Sequence, residues 1–139
     1  MNELNAAIQA RLEGMTAAST LARLQNGGIA PAICHKQAPE GQAFPYIVYN
    51  SFGNDDNETQ NRTKNKLVTI IAYSGVSDAQ AGTIDAAIDA ACHLVPLTVS
   101  GWTNFWMARE TDIELIENQP SGKRIYAQGA DYRVRLDKE

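Results

Sequence analysis

The segment 67–73, with the sequence LVTIIAY, constrains the fold most strongly because every residue in it except Thr69 is apolar or aromatic. Residues of this β-branched and aromatic type favour strands. Since successive side chains of a strand point to opposite faces, a strand that is apolar on both sides is typical of the middle of a sheet. We therefore predict a central strand here, with both of its faces covered.

Other segments have strand composition too, including 46–52, which reads YIVYNSF. Two long alternating segments follow near the end of the chain, and the turn-forming residues between them indicate a closing hairpin, with acidic side chains on one strand facing basic ones on the other and the apolar sides sharing the core. Pro31 places an early, short strand at a sheet edge. The predicted strands are 29–36, 46–52, 67–73, 97–100, 106–117 and 124–136.

Two segments have the three- and four-residue apolar spacing of amphipathic helices. The first lies at the N-terminus and carries Leu4, Ala7, Ile8, Leu12 and Met15. The second follows the N-cap residue Ser77, ends before Pro96, and carries Ala81, Ile84, Ala87, Ile88, Ala91 and Val95. A shorter helical stretch is predicted at 20–25. The expected fold is one α+β domain over residues 1–139, a mainly antiparallel sheet with the N-terminal helix and one central helix packed on it.

A long polar loop, residues 53–66, separates the strands at 46–52 and 67–73. Hairpin loops usually take about 2–5 residues, so a connection of this length favours a contact arm or a segment without fixed structure. Its acidic run lacks the spaced ligands and central glycine of a calcium-binding loop. We predict that the arm contacts another protein subunit, through Asn54, Asp55, Asp56, Asn57, Glu58, Arg62 and Lys64.

An aromatic cluster, Trp102, Phe105 and Trp106, follows Gly101. Aromatic residues are enriched both in cores and in the hot spots of protein interfaces. Core burial is the first interpretation, and contact with a neighbouring subunit through Trp102 and Trp106 is the second.

Composition excludes several classes of protein. The net charge of −4 and the isoelectric point near 5.1 argue against a basic surface that neutralises nucleic-acid phosphates. No run of about 18 apolar residues is present to cross a membrane, and the N-terminus does not resemble a secretion signal. Two distant cysteines do not make the disulfide framework of a small secreted domain. These features are typical of a soluble protein of a reducing compartment.

The residues best suited to catalysis or metal binding are two Cys-His dipeptides, Cys34-His35 and Cys92-His93. Adjacent residues diverge on strands and helices, so one dipeptide rarely supplies two metal ligands. Neither cysteine has the surrounding motif of a catalytic nucleophile, and 26–28 lacks the lysine of a nucleotide-binding loop. We predict no catalytic residue, metal site or cofactor, while a small α+β enzyme or ligand-binding domain remains the alternative.

The order of the segments carries a resemblance to a known family. The step Ala43-Phe44-Pro45-Tyr46-Ile47-Val48-Tyr49 leads into a strand, and the strand 68–73, the alanine-rich helix 79–91 and the final strand 132–136 follow. In this order and spacing the chain resembles the tail-completion, or tail-terminator, proteins of long-tailed bacteriophages.

The resemblance implies a structural role without enzymatic activity. Six copies would form a ring that caps the tail tube at its head-proximal end and joins it to the head connector or neck protein. DNA would pass through the ring without sequence-specific binding, and the arm and the two tryptophans would contact the neighbouring copy or the tube. Assembly would take place in the host cytoplasm, and an adaptor at another neck position is the alternative within the same assembly.

Overall fold

The computed structural model describes residues 2–13, 33–37, 45–53, 55–56 and 63–139. The predicted helical stretch at 20–25 and Met15 lie outside these ranges. In chain order the elements are α1 (Asn2–Glu13), β1 (Ile33–His35), β2 (Tyr46–Phe52), β3 (Asp55–Asp56), β4 (Thr63–Ser74), α2 (Asp78–Cys92), β5 (Thr98–Val99), β6 (Trp102–Asn118) and β7 (Arg124–Lys138).

The described strands form one sheet in the order β1-β2-β4-β7-β6-β5, and β3 pairs with β4 beside this path. Only β1 and β2 run parallel among these pairs. β4 pairs on both of its edges, with β2 and β7, and β1 lies at one end of the order. The structure thus confirms the α+β class, the central strand and the edge strand.

Both helices lie on one face of the sheet, which we call the covered face. Val68, Ile70 and Ala72 of β4 are fully buried there. They belong to one core with the apolar stripes of α1 and α2, which include Leu4, Ile8, Leu12, Ile84 and Ile88. Helix α1 contacts both β1 and β5, which stand at opposite ends of the strand order. The sheet must therefore curl around the helices.

Helix α2 begins as the sequence predicts and ends earlier. The hydroxyl of Ser77 accepts a 3.1 Å hydrogen bond from the backbone N–H of Gln80, as an N-cap does. The helix ends at Cys92 because the backbone turns at Leu94, whose φ of 58° is left-handed. Val95, predicted to lie on the inner side of the helix, is instead outside it and exposed.

Arg11 of α1 fastens the two helices together at this end. Its guanidinium donates hydrogen bonds to the carbonyl oxygens of Ala91, Val95 and Pro96, at 2.7, 3.2 and 2.7 Å. Carbonyls at a helix C-terminus lack partners within the helix, and a cation there also opposes the helix dipole. The interaction stabilises the point where the chain leaves α2.

Two strand boundaries differ from the prediction. β4 begins at Thr63 rather than at Leu67, and its first residues pair with the end of β7. β6 begins at Trp102 rather than at Trp106. Backbone pairing requires no apolar side chain, so polar strand ends give no periodic signal. The predicted loop 53–66 is shortened accordingly, since 55–56 and 63–66 belong to strands.

The prediction that the apolar sides of the hairpin share the core is wrong for its far half. Two β-bulges interrupt β6, between Asn104 and Trp106 and between Arg109 and Thr111. The second bulge changes the alternation, so Leu115 pairs with Ala127 on the face away from the helices. Leu115 and Ile116 are both at least half exposed. The predicted acid–base pairing across the hairpin is present between Glu110 and Arg133, at 3.1 Å.

Candidate assembly surfaces

The structure describes part of the predicted contact arm. Asp55 and Asp56 form β3, whose backbone pairs with Lys64 and Thr63 of β4. Asn54, Asn57, Glu58 and Arg62 lie outside the described residues. The described part of the arm is thus paired with the sheet through Asp55 and Asp56.

Lys64 and Trp102 come together on the covered side of the sheet. The ammonium group of Lys64 lies 5.5 Å from the centre of the Trp102 ring, within the range of a cation–π interaction. The Trp102 ring is half-buried against the core. These two predicted contact residues thus also stabilise the fold of their own chain.

Trp106 lies on the other side of the sheet, which we call the outer face. It pairs with Arg135, whereas Trp102 pairs with Lys138 on the covered side, because the first bulge shifts the alternation of β6 between them. Two consecutive aromatic side chains are exposed at the bulge, Phe105 by 52% and Trp106 by 45%. We call Phe105 and Trp106 the aromatic patch.

The bulge that displays the aromatic patch is held by a buried amide. The side chain of Asn104 donates to the carbonyls of Trp106 and Arg135, at 2.8 and 3.0 Å. Its oxygen accepts a 2.6 Å hydrogen bond from the backbone N–H of Leu97. A bulge leaves backbone groups without their ladder partners, and this amide supplies partners for two of them. The bulge is therefore a fixed feature of the strand.

The outer face carries a second apolar area at its centre. Val48, Ile71, Tyr73 and Ile113 are only partly buried, and we call them the outer-face patch. The ring of Tyr73 stacks on that of Tyr46 at 5.1 Å, and partial burial raises the pKa of both hydroxyls. Neither described helix packs on this face. The predicted second cover of the central strand is thus absent from the part of the chain that the structure describes.

A cluster of charged residues joins α2 to the sheet at Arg109. Its guanidinium makes two hydrogen bonds to Asp85, at 2.9 and 3.1 Å, one to Asp112 at 2.7 Å and one to the Tyr132 hydroxyl at 3.3 Å. The hydrogen bond to Asp85 contributes most to raising the pKa of Arg109. Asp89 lies 3.7 Å away. This arrangement neutralises Asp85, which is almost fully buried.

Sequence reasoning did not identify the Arg109 cluster. One signal was available, because Asp85 stands between Ile84 and Ile88 on the helix side that packs on the sheet. An acidic residue within an apolar stripe requires a partner when the stripe is buried. The identity of the cation that pairs with Asp85 depends on the register of β6, and a bulge interrupts that register between Arg109 and Thr111.

Neither cysteine is placed for nucleophilic chemistry. Burial raises the pKa of Cys92 to about 12 and raises that of Cys34 as well, so both thiols are protonated near neutral pH. His93 accepts a 3.0 Å hydrogen bond from the backbone N–H of Arg109 through Nδ1. Among the described residues, no group of three or more His, Cys, Asp or Glu side chains could hold a metal ion.

Helices long and apolar enough to span a membrane are absent from the described ranges.

Comparisons with known proteins agree with the family resemblance seen in the sequence. The family of tail completion protein gp17 matches residues 6–137. A chain of the virion of a native gene transfer agent particle superposes with a TM-score of 0.66 at 15% identity, over 96% of this chain and 94% of that chain. A second solved structure superposes with a TM-score of 0.54 at 13% identity, over 96% and 94%. No curated protein sequence is significantly similar.

The two kinds of match establish different things. At identities of 15% and 13%, the superpositions show a shared fold. The family match spans nearly the whole chain, including β2, β4, α2 and β7, the elements on which the resemblance rested. The chain therefore belongs to the tail completion protein gp17 family and is a structural protein of a bacteriophage tail.

Proposed function

We propose that six copies of this chain form a ring that caps the head-proximal end of the tail tube and joins it to the head connector. The observation that carries the proposal is the aromatic patch. Phe105 and Trp106 are consecutive, about half exposed, and held outward by a bulge that Asn104 fixes. Exposed aromatic residues on rigid backbone are typical of interface hot spots.

The proposed subunit contact places the aromatic patch of one copy on the outer-face patch of the next. Trp106 and Ile113 are seven residues apart on β6, which is on the order of 20 Å at the rise of a strand. The two patches therefore cannot cover each other within one copy. A contact between two different surfaces of identical subunits is head-to-tail, and such contacts close into rings when the rotation permits.

The charge of the chain suits a ring around DNA. With a net charge of −4, a ring lining would repel the phosphate backbone rather than bind it through many cationic contacts. We propose that DNA passes through the lumen without sequence-specific binding. The arm then contacts the tube or the neighbouring copy through Asn54, Asn57, Glu58 and Arg62. The protein acts as a component of the assembled virion.

Electron microscopy of phage tails tests the proposal. A phage lacking this gene is supplied with the wild-type chain, with Phe105→Ser or with Phe52→Ser. Phe52 is the matched control, because it is exposed by 51% against 52% for Phe105 but lies on β2, away from the aromatic patch. We expect overlong tubes that do not join heads, both without the chain and with Phe105→Ser, and normal tails with Phe52→Ser.

Three results would contradict the proposal. Tails of normal length that join heads in the absence of the chain would exclude a capping role. Tails of normal length that fail to join heads would instead support the adaptor at another neck position. Equal behaviour of Phe105→Ser and Phe52→Ser would show that the aromatic patch is not the subunit contact.

A further inference from the structure

The far half of β6 has an open edge. β5 pairs only with Trp102 and Thr103, and the helix-to-strand connection reaches no further than Arg109, whose N–H donates to His93. From Glu110 to Asn118 no described strand or side chain pairs with this edge, and every residue except Ile113 is exposed. An edge of this kind is a template for another strand.

The backbone groups that face the open edge follow from the turn of the hairpin. The N–H of Gln119 donates to the carbonyl of Lys123, which makes these two residues a hydrogen-bonded pair. Such pairs alternate along an antiparallel ladder, so residues 117, 115, 113 and 111 bond to β7. Asp112, Glu114 and Ile116 therefore direct their N–H and C=O groups outward.

The strand has only part of the usual protection against pairing with another chain. Natural edges are shielded by charged side chains, especially lysine, and by proline, bulges or short length. Residues 110–118 contain no lysine and no proline, and the nearest bulge lies at their beginning. Leu115 and Ile116 are exposed by 50% and 59%, on opposite faces of this stretch. An added strand would bury both.

Charge decides which partner fits this edge. Residues 110–118 hold four acidic and no basic side chains. Arg133 and Arg109 neutralise Glu110 and Asp112, whereas Glu114 and Glu117 make no ion pair with any residue the structure describes. A second copy of β6 would bring like charges together, which is unfavourable between neighbouring strands. A strand with lysine or arginine alternating with aliphatic residues would match both the charges and Leu115.

We propose that the edge 110–118 binds an extended segment of another tail protein in which basic and aliphatic residues alternate, by adding it as a strand to the sheet. The main chain of the segment would bond to Asp112, Glu114 and Ile116, and its basic side chains would face Glu114. This inference rests on the tail-capping role and names the chemistry of its partner. It uses the backbone edge of β6, whereas the subunit contact uses the aromatic patch and the outer-face patch, and Ile113 adjoins both.

Amide hydrogen exchange on tail tubes tests the inference. Tubes are isolated from phage lacking this gene and mixed with the wild-type chain, with Ile116→Pro or with Ile116→Thr. Proline removes an N–H that faces the open edge without removing a bond to β7, and threonine keeps that N–H while removing aliphatic surface. Thermal unfolding and amide spectra of each variant confirm that it is folded.

We expect exchange in the segment 112–118 to slow at least tenfold when the wild-type chain binds tubes. Ile116→Pro should lose most tube binding, Ile116→Thr should weaken it far less because it keeps the outward N–H, and Glu114→Lys should weaken it at least tenfold. If Ile116→Pro does not fold, Glu114→Pro serves the same purpose, because its N–H also faces outward.

The outcomes separate the inference from the function on which it rests. Unchanged exchange at 112–118 in wild-type chains that cap tubes would overturn the strand addition and leave capping intact. Wild-type binding by folded Ile116→Pro would overturn it as well. Protection that grows with the concentration of the chain alone would identify a second copy as the partner and overturn the assignment to another protein. Normal, joined tails without the chain would overturn the capping role itself.

Discussion

The covered face of the sheet and the far half of β6 differ in how completely their side chains and backbone groups find partners within the chain. On the covered face, Ile70, Tyr132 and Val134 are fully buried, and the nearly buried Asp85 is paired with Arg109. Along residues 110–118, aliphatic side chains and one row of backbone groups face solvent. The first region holds the chain together, whereas the second has unused capacity for binding.

The difference separates a region whose contacts lie within the chain from the edge for which we propose an added strand. A strand that served only stability would bury Leu115 and Ile116 or replace them with polar residues, because exposed aliphatic edges promote aggregation. The covered face supports β7, and β7 in turn holds β6 in register along its whole length. A rigid sheet can thus present an incomplete edge without losing its own structure.

The largest loss of stability should come from adding a side chain at Gly129, where the backbones of β4 and β7 lie close together. A Cβ atom on Gly129 would overlap with the carbonyl oxygen of Ile70 and the Cα of Ile71, both of which are backbone atoms of the central strand. We expect Gly129→Val to lower the free energy of unfolding by more than about 4 kcal/mol or to prevent folding. Chemical denaturation followed by circular dichroism measures this.

Gly122→Ala is the control for Gly129→Val. Gly122 has a φ of 82° and open space around its Cα, so alanine there meets backbone strain but no clash. A cost of about 1–2 kcal/mol is expected. Equal losses in the two variants would show that close packing of β4 and β7 is not what stabilises the sheet.

The next effect should come from the Arg109 cluster. Arg109→Met keeps the length of the side chain but leaves Asp85 buried and unpaired. Removing one partner of a buried pair is costly, and we expect a loss of about 2–4 kcal/mol. In Arg109→Met with Asp85→Asn, part of that loss should return, as a double-mutant cycle measures. Additive losses would mean that the two side chains do not interact energetically.

The predictable parts of the fold are those in which burial leaves a period in the sequence. Leu4, Ile8 and Leu12 of α1 are buried as predicted, and β2 spans Tyr46–Phe52, the predicted range. The N-cap at Ser77 was equally predictable, because its hydroxyl accepts a hydrogen bond from Gln80, within one turn of the helix.

The candidate sites were less predictable because they depend on register and on bulges. A bulge inserts one residue and exchanges the faces of everything after it, so Leu115 could not be placed from alternation alone. The first bulge of β6 likewise separates Trp102 from Trp106 and turns Arg109 toward Asp85. The backbone edge at 110–118 has no sequence signal, since it is defined by what does not pair with it.

A smaller loss of stability should appear at alkaline pH, with its largest part from Cys92 on the covered side. Burial raises the pKa of Cys92 in the folded chain to about 12, above its value in the unfolded chain. A raised pKa of an acid means that its contribution is fully present below the unfolded pKa and is lost as pH rises toward the folded one. Between about pH 9 and 12 the stability should fall by about 1.4 kcal/mol per pH unit from this thiol.

Two cysteine variants isolate this slope. Denaturation at pH 8, 9 and 10 should show a shallower decline in Cys92→Ala than in the wild type. Cys34→Ala should leave the decline nearly unchanged, because Cys34 lies on β1 and is only partly buried. Tyr132, whose pKa burial also raises, should contribute above about pH 10. A decline unaffected by Cys92→Ala would place the alkaline sensitivity elsewhere.

The smallest effect on stability should come from the far half of β6. Leu115 is half exposed, so Leu115→Ala should change the free energy of unfolding by less than about 0.5 kcal/mol. Leu136→Ala makes the same chemical change at a fully buried position and should cost about 2–5 kcal/mol. Binding to tail tubes should show the reverse order, with Leu115→Ala weakened and folded Leu136→Ala unaffected at low temperature. If Leu115→Ala were costly to stability and harmless to tube binding, the far half of β6 would belong to the fold and not to the assembly.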